Sequence, residues 1–294
     1  MTLLIVIPGT SSQILGLKIA DRLNAKAIPI AFKEHPDGEI YVRIEGDVNG
    51  DHAVIVQSTC SPQNRNLLEL FFLVDAAKDM GASKVTAVVP YLAYARQDKR
   101  FKKGEAINIK TVGSLLEKVG VDEVYTVDIH SKEASEQFRI PIVDLSAMPL
   151  IGKLLKDMGV ENPLIVAPDD GAIHLAEKVV STIGGEFVSF DKFRDRDTGE
   201  ITMKGKTMQV EGREVAVVDD IISTGGTMAK AIEIIKSQGA KRIYAACSHP
   251  LLIGNARFRI MKAGAELIIG TDTIPSDVSC ISVSTLIAEA LKGR

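Results

Sequence analysis

The chain has 294 residues, enough for two domains of ordinary size, and is 46% hydrophobic and 25% charged, as globular proteins are. Its net charge of −3 argues against a general nucleic-acid or membrane-surface binder. Three widely spaced cysteines with no C-x-x-C argue against a disulfide framework or a cysteine zinc site and point to a reducing, cytoplasmic setting. The opening Met1 to Gly9 has no basic n-region and is too short for a signal peptide, and no apolar stretch approaches membrane-spanning length.

Leu3–Ile7 reads as a first short apolar strand. The stretch from Val54 to Leu92 reads as strand, loop (Ser58-Thr59-Cys60-Ser61-Pro62), helix and second strand (Val85–Pro90), a βαβ module. Directly after that strand, six of the eight residues from Arg96 to Lys103 are charged, five of them basic. Such a run is either a solvated loop or a polyanion grip, and its place at a strand's carboxyl end favours neither outright. The strand Val124–Val127 leads into Asp128-Ile129-His130. Alternation along a strand would point Asp128 and His130 to the same side. A lone histidine is more often structural than a ligand. A second acidic strand end, Asp169-Asp170 after Leu164–Ala167, could share a metal ion with it. A helix from Ser146 to Met158 opens the second half, and Glu186–Phe190 is a further strand. Residues 191–200, D-K-F-R-D-R-D-T-G-E, read as an exposed hairpin, or as a flap that carries Lys192 and Arg194 over a bound phosphate.

The most informative stretch is V-A-V-V-D-D-I-I-S-T-G-G-T, residues 215–227. Val215–Val218 reads as a buried parallel strand with Asp219 and Asp220 at its end. A small-residue loop follows, Ser223-Thr224-Gly225-Gly226-Thr227, then an amphipathic helix from Met228 to Gln238. Ligands of open α/β sheets sit outside strand carboxyl ends. Helix-start N–H groups attract phosphate, and glycines let the backbone approach it. Two carboxylates facing a phosphate need something between them, and the vicinal hydroxyls of a sugar supply it. The loop reads as a sugar-phosphate site, against the alternative of an acidic, glycine-rich surface turn. It is neither a Walker A loop nor G-x-G-x-x-G.

The 215–252 segment repeats the 54–92 segment. Gly81 matches Gly239 at an offset of 158 (239 − 81), and Val54 matches Val215 at 161 (215 − 54). The alternation of short strands, ending with Leu267–Ile269, and helices predicts an α/β fold with two mainly parallel sheets flanked by helices. The division falls near residues 144–150, giving domains 1–145 and 146–294. The first copy has no acidic pair and no Gly-Gly at the matching loop.

Together these features resemble the ribose-phosphate pyrophosphokinases, the phosphoribosyl pyrophosphate (PRPP) synthetases, over essentially the whole length, and in particular the shorter archaeal-type enzymes. Four motifs fall in the family's order: Lys33 to Glu39 (K-E-H-P-D-G-E), Tyr94 to Lys99 (Y-A-R-Q-D-K), Val127 to His130 (V-D-I-H) and Val218 to Thr227 (V-D-D-I-I-S-T-G-G-T). The V-D-D and T-G-G-T pattern is shared by all type I phosphoribosyltransferases. Arg96-Gln97-Asp98 with the flap Lys192 and Arg194 is specific to the synthetases.

The resemblance implies two duplicated domains of type I phosphoribosyltransferase-like fold. It implies transfer of the β,γ-diphosphoryl group of ATP to the anomeric hydroxyl of ribose 5-phosphate, giving PRPP and AMP. It implies that Ser223, Thr224, Gly225, Gly226 and Thr227 hold the 5-phosphate and that Asp219 and Asp220 bind the ribose hydroxyls. Arg96 and Gln97 would contact ATP, and His35, Asp37 and Glu39 would bind adenine across a subunit interface of a homo-oligomer. His130 and Asp169 would hold Mg2+, and Lys192 and Arg194 would stabilise the transferring group. Two departures stand out: His35 occupies a position where the family usually has phenylalanine, and Ser223 one where many members are acidic. The alternatives are a phosphoribosyltransferase that consumes PRPP and a non-catalytic relative that regulates a synthetase.

Overall fold

Apolar, β-branched runs of four to nine residues alternate along the chain with amphipathic segments, and each run becomes a strand and most of the segments helices. The computed structural model describes residues 3–194, 201–204 and 209–293, with strands 191–194 and 201–204 described by their backbone. The first elements are β1 (Leu4–Pro8), α1 (Gln13–Leu23), β2 (Lys26–Ala27), β3 (Ile30–Glu34), β4 (Ile40–Ile44), β5 (His52–Val56), α2 (Gln63–Asp79), β6 (Lys84–Val88), α3 (Asn108–Val119), β7 (Glu123–Val127), α4 (Lys132–Ser135) and β8 (Ile142–Leu145). There follow α5 (Met148–Asp157), β9 (Leu164–Ala167), a short 3-10 turn, α6 (Ile173–Ile183), β10 (Glu186–Ser189), β11 (Asp191–Arg194), β12 (Ile201–Lys204), β13 (Glu214–Ile222), α7 (Gly226–Ser237), β14 (Arg242–Pro250), α8 (Ala256–Ala263), β15 (Leu267–Thr271), β16 (Ser279–Ile281) and α9 (Ser284–Lys292). The chain divides into two compact units: residues 1–145, 273–275 and 282–294, and residues 146–272 and 276–281.

Each unit is built on a six-stranded parallel sheet. The first has the order β2-β1-β5-β6-β7-β8 and the second β10-β9-β13-β14-β15-β16. The second order is the first with every strand number raised by eight. The duplication therefore reaches well beyond the 54–92 and 215–252 segments. It includes an antiparallel hairpin in each unit, β3 with β4 and β11 with β12, inserted before the third strand of the sheet. The tip residues 195–200 of the second hairpin, part of the expected flap, lie outside the described residues.

The sheets are covered on both faces, which is why their strands are nearly continuous apolar runs. In the second unit Val215 and Val217 pack with Ile232 and Ile235 of α7 on one face. Ala216 and Val218 pack with Ile151 of α5 and Val179 of α6 on the other. In the first unit Ile5, Ile7 and Ile55 share a core with Leu70, Leu73 and Val74 of α2. The final helix lies with the first unit: α9 packs on α1, where Arg22 Nε donates to Ser284 Oγ at 2.9 Å.

One expectation about a strand end is corrected. The acidic pair does not follow the strand; it lies within it. β13 continues through Asp219, Asp220 and Ile221 to Ile222, because β14 is equally long and pairs with it as far as Ile222 opposite Pro250. On the other side β9 pairs only up to Val217. Past that residue β13 overhangs its sheet with one hydrogen-bonded neighbour, so its last residues stand at the carboxyl edge, where ligands of such sheets sit.

Candidate functional site

The overhang of β13 turns into α7 through residues 223–225, and the turn is held in a fixed shape. Leu252 N–H donates to the Ile222 carbonyl and Ile253 N–H to the Ser223 carbonyl, each at 3.0 Å, and Arg259 Nη1 donates to the Thr224 carbonyl at 2.8 Å. Gly225 sits at the N-cap with φ 72°, a left-handed conformation that other residues enter at a cost. A Cβ there would lie 3.1 Å from Ile260 Cδ1 and 3.2 Å from the Ala256 carbonyl oxygen, so α8 is packed against a glycine-only surface. The N-cap glycine has no side chain with which to cap α7, whose first-turn N–H groups have no partner within the helix. The result is a rigid, N–H-lined helix start with the positive end of the helix dipole behind it.

Beside this helix start stand three carboxylates. Asp219 accepts from the Asp220 N–H at 2.9 Å, and Asp220 accepts from the Ile221 N–H at 2.8 Å, which fixes both side chains against the strand overhang. Burial above all, then the charge of Asp220 and a hydrogen bond with its carboxyl group, and then the charge of Asp169, push the Asp219 carboxyl well above the usual carboxylate range. Asp169 enters through β9, whose end passes into the 3-10 turn Asp170–Ala172. An acidic cluster held at such cost suits a partner that gives back hydrogen bonds or positive charge, such as vicinal hydroxyls or a divalent cation. Cys247 is paired in register with Asp219, but burial and the neighbouring aspartates raise its thiol, so it is not a thiolate nucleophile.

The matching place in the first unit has been filled in. Gln57, Ser58, Thr59 and Cys60 are all buried. Ser58 N–H donates to Ser12 Oγ at 2.8 Å and Ser58 Oγ to the Thr273 carbonyl. Thr59 Oγ1 accepts from Ala93 N–H at 2.7 Å and donates to the Tyr91 carbonyl at 3.0 Å. Hydroxyls that could have met a ligand are bonded to the protein itself, so the first loop is structural.

The first unit's exposed groups lie elsewhere. After β6, the chain turns at Tyr94, with φ 70°, and Gln97 N–H donates to the Tyr94 carbonyl at 3.2 Å. Arg96 is exposed, while Gln97 Nε2 reaches the Lys99 carbonyl at 2.9 Å. Asp98 is buried and accepts from Ser131 Oγ, which fastens the basic loop to the start of α4. Glu105 accepts from the N–H groups of Phe101 and Lys102 at 2.8 and 3.0 Å, and these bonds hold its carboxyl below the usual range. The basic residues therefore belong to a closed loop.

His35, Asp37 and Glu39 form the turn of the β3–β4 hairpin. His35 N–H donates to the Glu39 carbonyl at 2.7 Å, and Glu39 N–H to Asp37 Oδ1 at 3.2 Å. The hairpin rests on α2, where the Arg65 guanidinium lies 5.4 Å from the Phe32 ring centre. These three residues thus occupy the first unit's counterpart of the hairpin whose β11 strand bears Lys192 and Arg194. The sequences of the two hairpins also correspond, with Phe32, Gly38, Glu39 and Ile40 matching Phe193, Gly199, Glu200 and Ile201 at the offset of 161 that relates Val54 to Val215.

Asp128 and His130 do not face the same way. β7 ends at Val127, Asp128 takes φ 39° with its N–H on the Leu145 carbonyl, and it is buried while His130 is exposed. The left-handed residue breaks the alternation on which the expectation rested. His130 belongs to the first unit and Asp169 to the second. Among the described residues no group of three histidine, cysteine or acidic side chains converges as a metal site.

The N-terminal domain of ribose phosphate pyrophosphokinase matches residues 4–120, and the phosphoribosyl transferase domain matches residues 138–259. The chain is 43% identical over 287 residues to the ribose-phosphate pyrophosphokinase of Methanothermobacter thermautotrophicus, covering 98% of this chain and 99% of that one. It is 38% identical over 292 residues to the protein of the same name from Saccharolobus solfataricus, covering 98% of this chain and all of that one, 100%. The crystal structure of phosphoribosylpyrophosphate synthetase from Mycobacterium smegmatis superposes with a TM-score of 0.89 at 28% identity, over 99% of this chain and 98% of that one. No helix among the described residues is long and apolar enough to cross a membrane.

Proposed function

Because the chain belongs to the ribose-phosphate pyrophosphokinase family, we propose a residue-by-residue account of how it makes PRPP from ATP and ribose 5-phosphate. The reaction moves the β,γ-diphosphoryl group: the anomeric oxygen bonds to the β-phosphorus, the bond from that phosphorus to the α,β-bridging oxygen breaks, and AMP leaves. Such transfers need positioning and charge neutralisation more than covalent chemistry. The second unit takes ribose 5-phosphate. Its 5-phosphate lies on the N–H groups of Thr224, Gly225, Gly226 and Thr227 with the Ser223 and Thr227 hydroxyls nearby, and Asp219 and Asp220 accept from the ribose hydroxyls. The first unit takes ATP, through Arg96 and Gln97 on the phosphates and His35, Asp37 and Glu39 on adenine. Lys192 and Arg194 neutralise charge on the transferring group.

The family handles ATP with a divalent metal, and we assign Mg2+, with His130 and Asp169 as its protein ligands. The donors fit in part: an oxygen ligand suits this hard cation, histidine is a less usual donor, and few protein ligands are needed when phosphates supply the rest. Bound with the polyphosphate, the ion would lower its charge and orient the β-phosphorus. The adenine turn is exposed on a hairpin, in keeping with an ATP site completed by a second copy in a homo-oligomer in the cytoplasm.

The observation that carries the assignment of the sugar site is the pairing, on one strand overhang, of an uncapped helix start with an acidic pair one of whose members is held above its usual range. The test is a direct one. Protein, Mg2+, ATP and ribose 5-phosphate together should yield AMP. A protein that instead yields AMP only from PRPP and adenine, without ATP, would be a phosphoribosyltransferase.

A further inference from the structure

Resting on the reading that residues 223–227 hold the 5-phosphate, we infer that Arg259, on α8, is a further positioning and specificity residue of the ribose 5-phosphate site. α8 presents three residues to the loop at helical spacing, 256, 259 and 260. Ala256 and Ile260 are buried, and both close on Gly225. Arg259 is exposed and reaches around them, its Nη1 donating to the Thr224 carbonyl at 2.8 Å. That same nitrogen lies 3.7 Å from where a Cβ on Gly226 would be, so the guanidinium reaches the first residue of α7 as well.

Two consequences follow from this geometry. The bond to the carbonyl fixes the peptide plane between Thr224 and Gly225. That plane sets where the Gly225 N–H points, and a peptide that rotated would present its carbonyl oxygen to the phosphate instead. The second consequence is electrostatic. Residues 223–227 contain no lysine or arginine, while the acidic side chains of Asp219, Asp220 and Asp169 stand close by. A phosphate dianion entering there meets helix-end N–H groups and three carboxylates. Arg259 supplies a full positive charge at that place. Among the described residues it has no carboxylate partner, so none of them neutralises it. A guanidinium with four N–H donors left over suits a phosphate oxygen. Because the group is exposed, salt and water weaken its pull, and the effect is one of affinity and loop shape rather than of turnover.

The test uses the full chain with Arg259→Gln, Arg259→Lys and, as a reference for the loop itself, Thr227→Ala. Steady-state AMP formation gives KM for each substrate and kcat, calorimetry gives ribose 5-phosphate affinity without ATP, and a thermal melt checks the fold. Arg259→Gln should weaken ribose 5-phosphate by roughly tenfold in both KM and affinity, the scale of one charge-assisted hydrogen bond. KM for ATP and kcat should stay within about twofold. Arg259→Lys should recover part of the loss, because the charge returns without the fork. Raising salt should narrow the gap between wild type and Arg259→Gln. If Thr227→Ala weakens ribose 5-phosphate but Arg259→Gln does not, the inference is wrong while the loop reading stands. If Arg259→Gln lowers only kcat or the melting temperature, Arg259 is a structural brace and the inference fails. If neither variant changes ribose 5-phosphate affinity, the loop reading fails and takes the inference with it.

Discussion

Adjacent glycines at the start of α7 should respond in opposite ways to the same added methyl group. At Gly225, alanine must adopt φ 72° and place its Cβ 3.1 Å from Ile260 Cδ1 and 3.2 Å from the Ala256 carbonyl. The left-handed conformation costs about 1 kcal/mol, and displacing a packed α8 by a few tenths of an ångström adds about 1–2 kcal/mol. The sum, about 2–3 kcal/mol, corresponds to a fall of roughly 5–10 °C in the melting transition of that unit. At Gly226 there is no left-handed backbone and the nearest atom is Arg259 Nη1 at 3.7 Å, an ordinary contact. Gly226→Ala should therefore melt as wild type does, or slightly higher, since alanine is the better helix former by up to about 1 kcal/mol. Its methyl group would nonetheless stand where the 5-phosphate approaches the backbone. Ribose 5-phosphate affinity should fall about tenfold or more, by loss of N–H contacts worth about 1.5 kcal/mol or above. Differential scanning calorimetry and ligand titration on both variants separate the two effects. A Gly226→Ala protein with undiminished ribose 5-phosphate affinity would mean that the phosphate does not use this helix start.

Asp219→Asn should stabilise the ligand-free protein near neutral pH while weakening ribose 5-phosphate. The sign follows from the raised carboxyl: its folded-state value lies above the unfolded one, so the wild type's stability is intact in acid and declines as pH rises through the raised value. The asparagine lacks that decline, so the gap in melting temperature should close on acidification. A gap independent of pH would contradict it. Lys192→Ala should collapse kcat with little change in ribose 5-phosphate binding, because a flap cation acts on the transferring group; unchanged turnover in a stopped assay would remove it from that role. Chelating divalent metal should abolish AMP formation, and Mg2+ should restore it. His35→Phe should tighten ATP if the ring at this turn stacks on adenine, read as a lower KM for ATP and an unaltered KM for ribose 5-phosphate.

The α/β class and the two parallel sheets were legible because buried parallel strands leave a strong local signature, as Val215–Val218 and Leu164–Ala167 do. The family was legible because its motifs are loops of unusual composition. What stayed hidden was set by partners distant in the chain. That β13 runs on to Ile222 depends on the equal length of β14, which no residue of β13 announces. The turn at Asp128 is enforced by the Leu145 carbonyl, and an aspartate in a V-D-I-H stretch looks like one more strand residue. The equivalence of the β3–β4 and β11–β12 hairpins rests in sequence on a few identities, Phe32 with Phe193 and Gly38-Glu39-Ile40 with Gly199-Glu200-Ile201, which the strand order makes plain. Arg259 lies 35 residues beyond Thr224 on a polar helix, and only folding brings its guanidinium to that carbonyl. The filled loop at Ser58 and Thr59 was visible as the loss of an acidic pair, but its cause, hydroxyls spent on the protein's own backbone, was not.

The claim on which the account turns is that, of two duplicated strand-to-helix loops, only the second receives the pentose phosphate. A crystal structure of the protein with ribose 5-phosphate measures this directly. The account predicts the 5-phosphate against the N–H groups at Thr224–Thr227 with the ribose hydroxyls toward Asp219 and Asp220. Ribose 5-phosphate found at residues 57–62, or anywhere away from the end of β13, would contradict it.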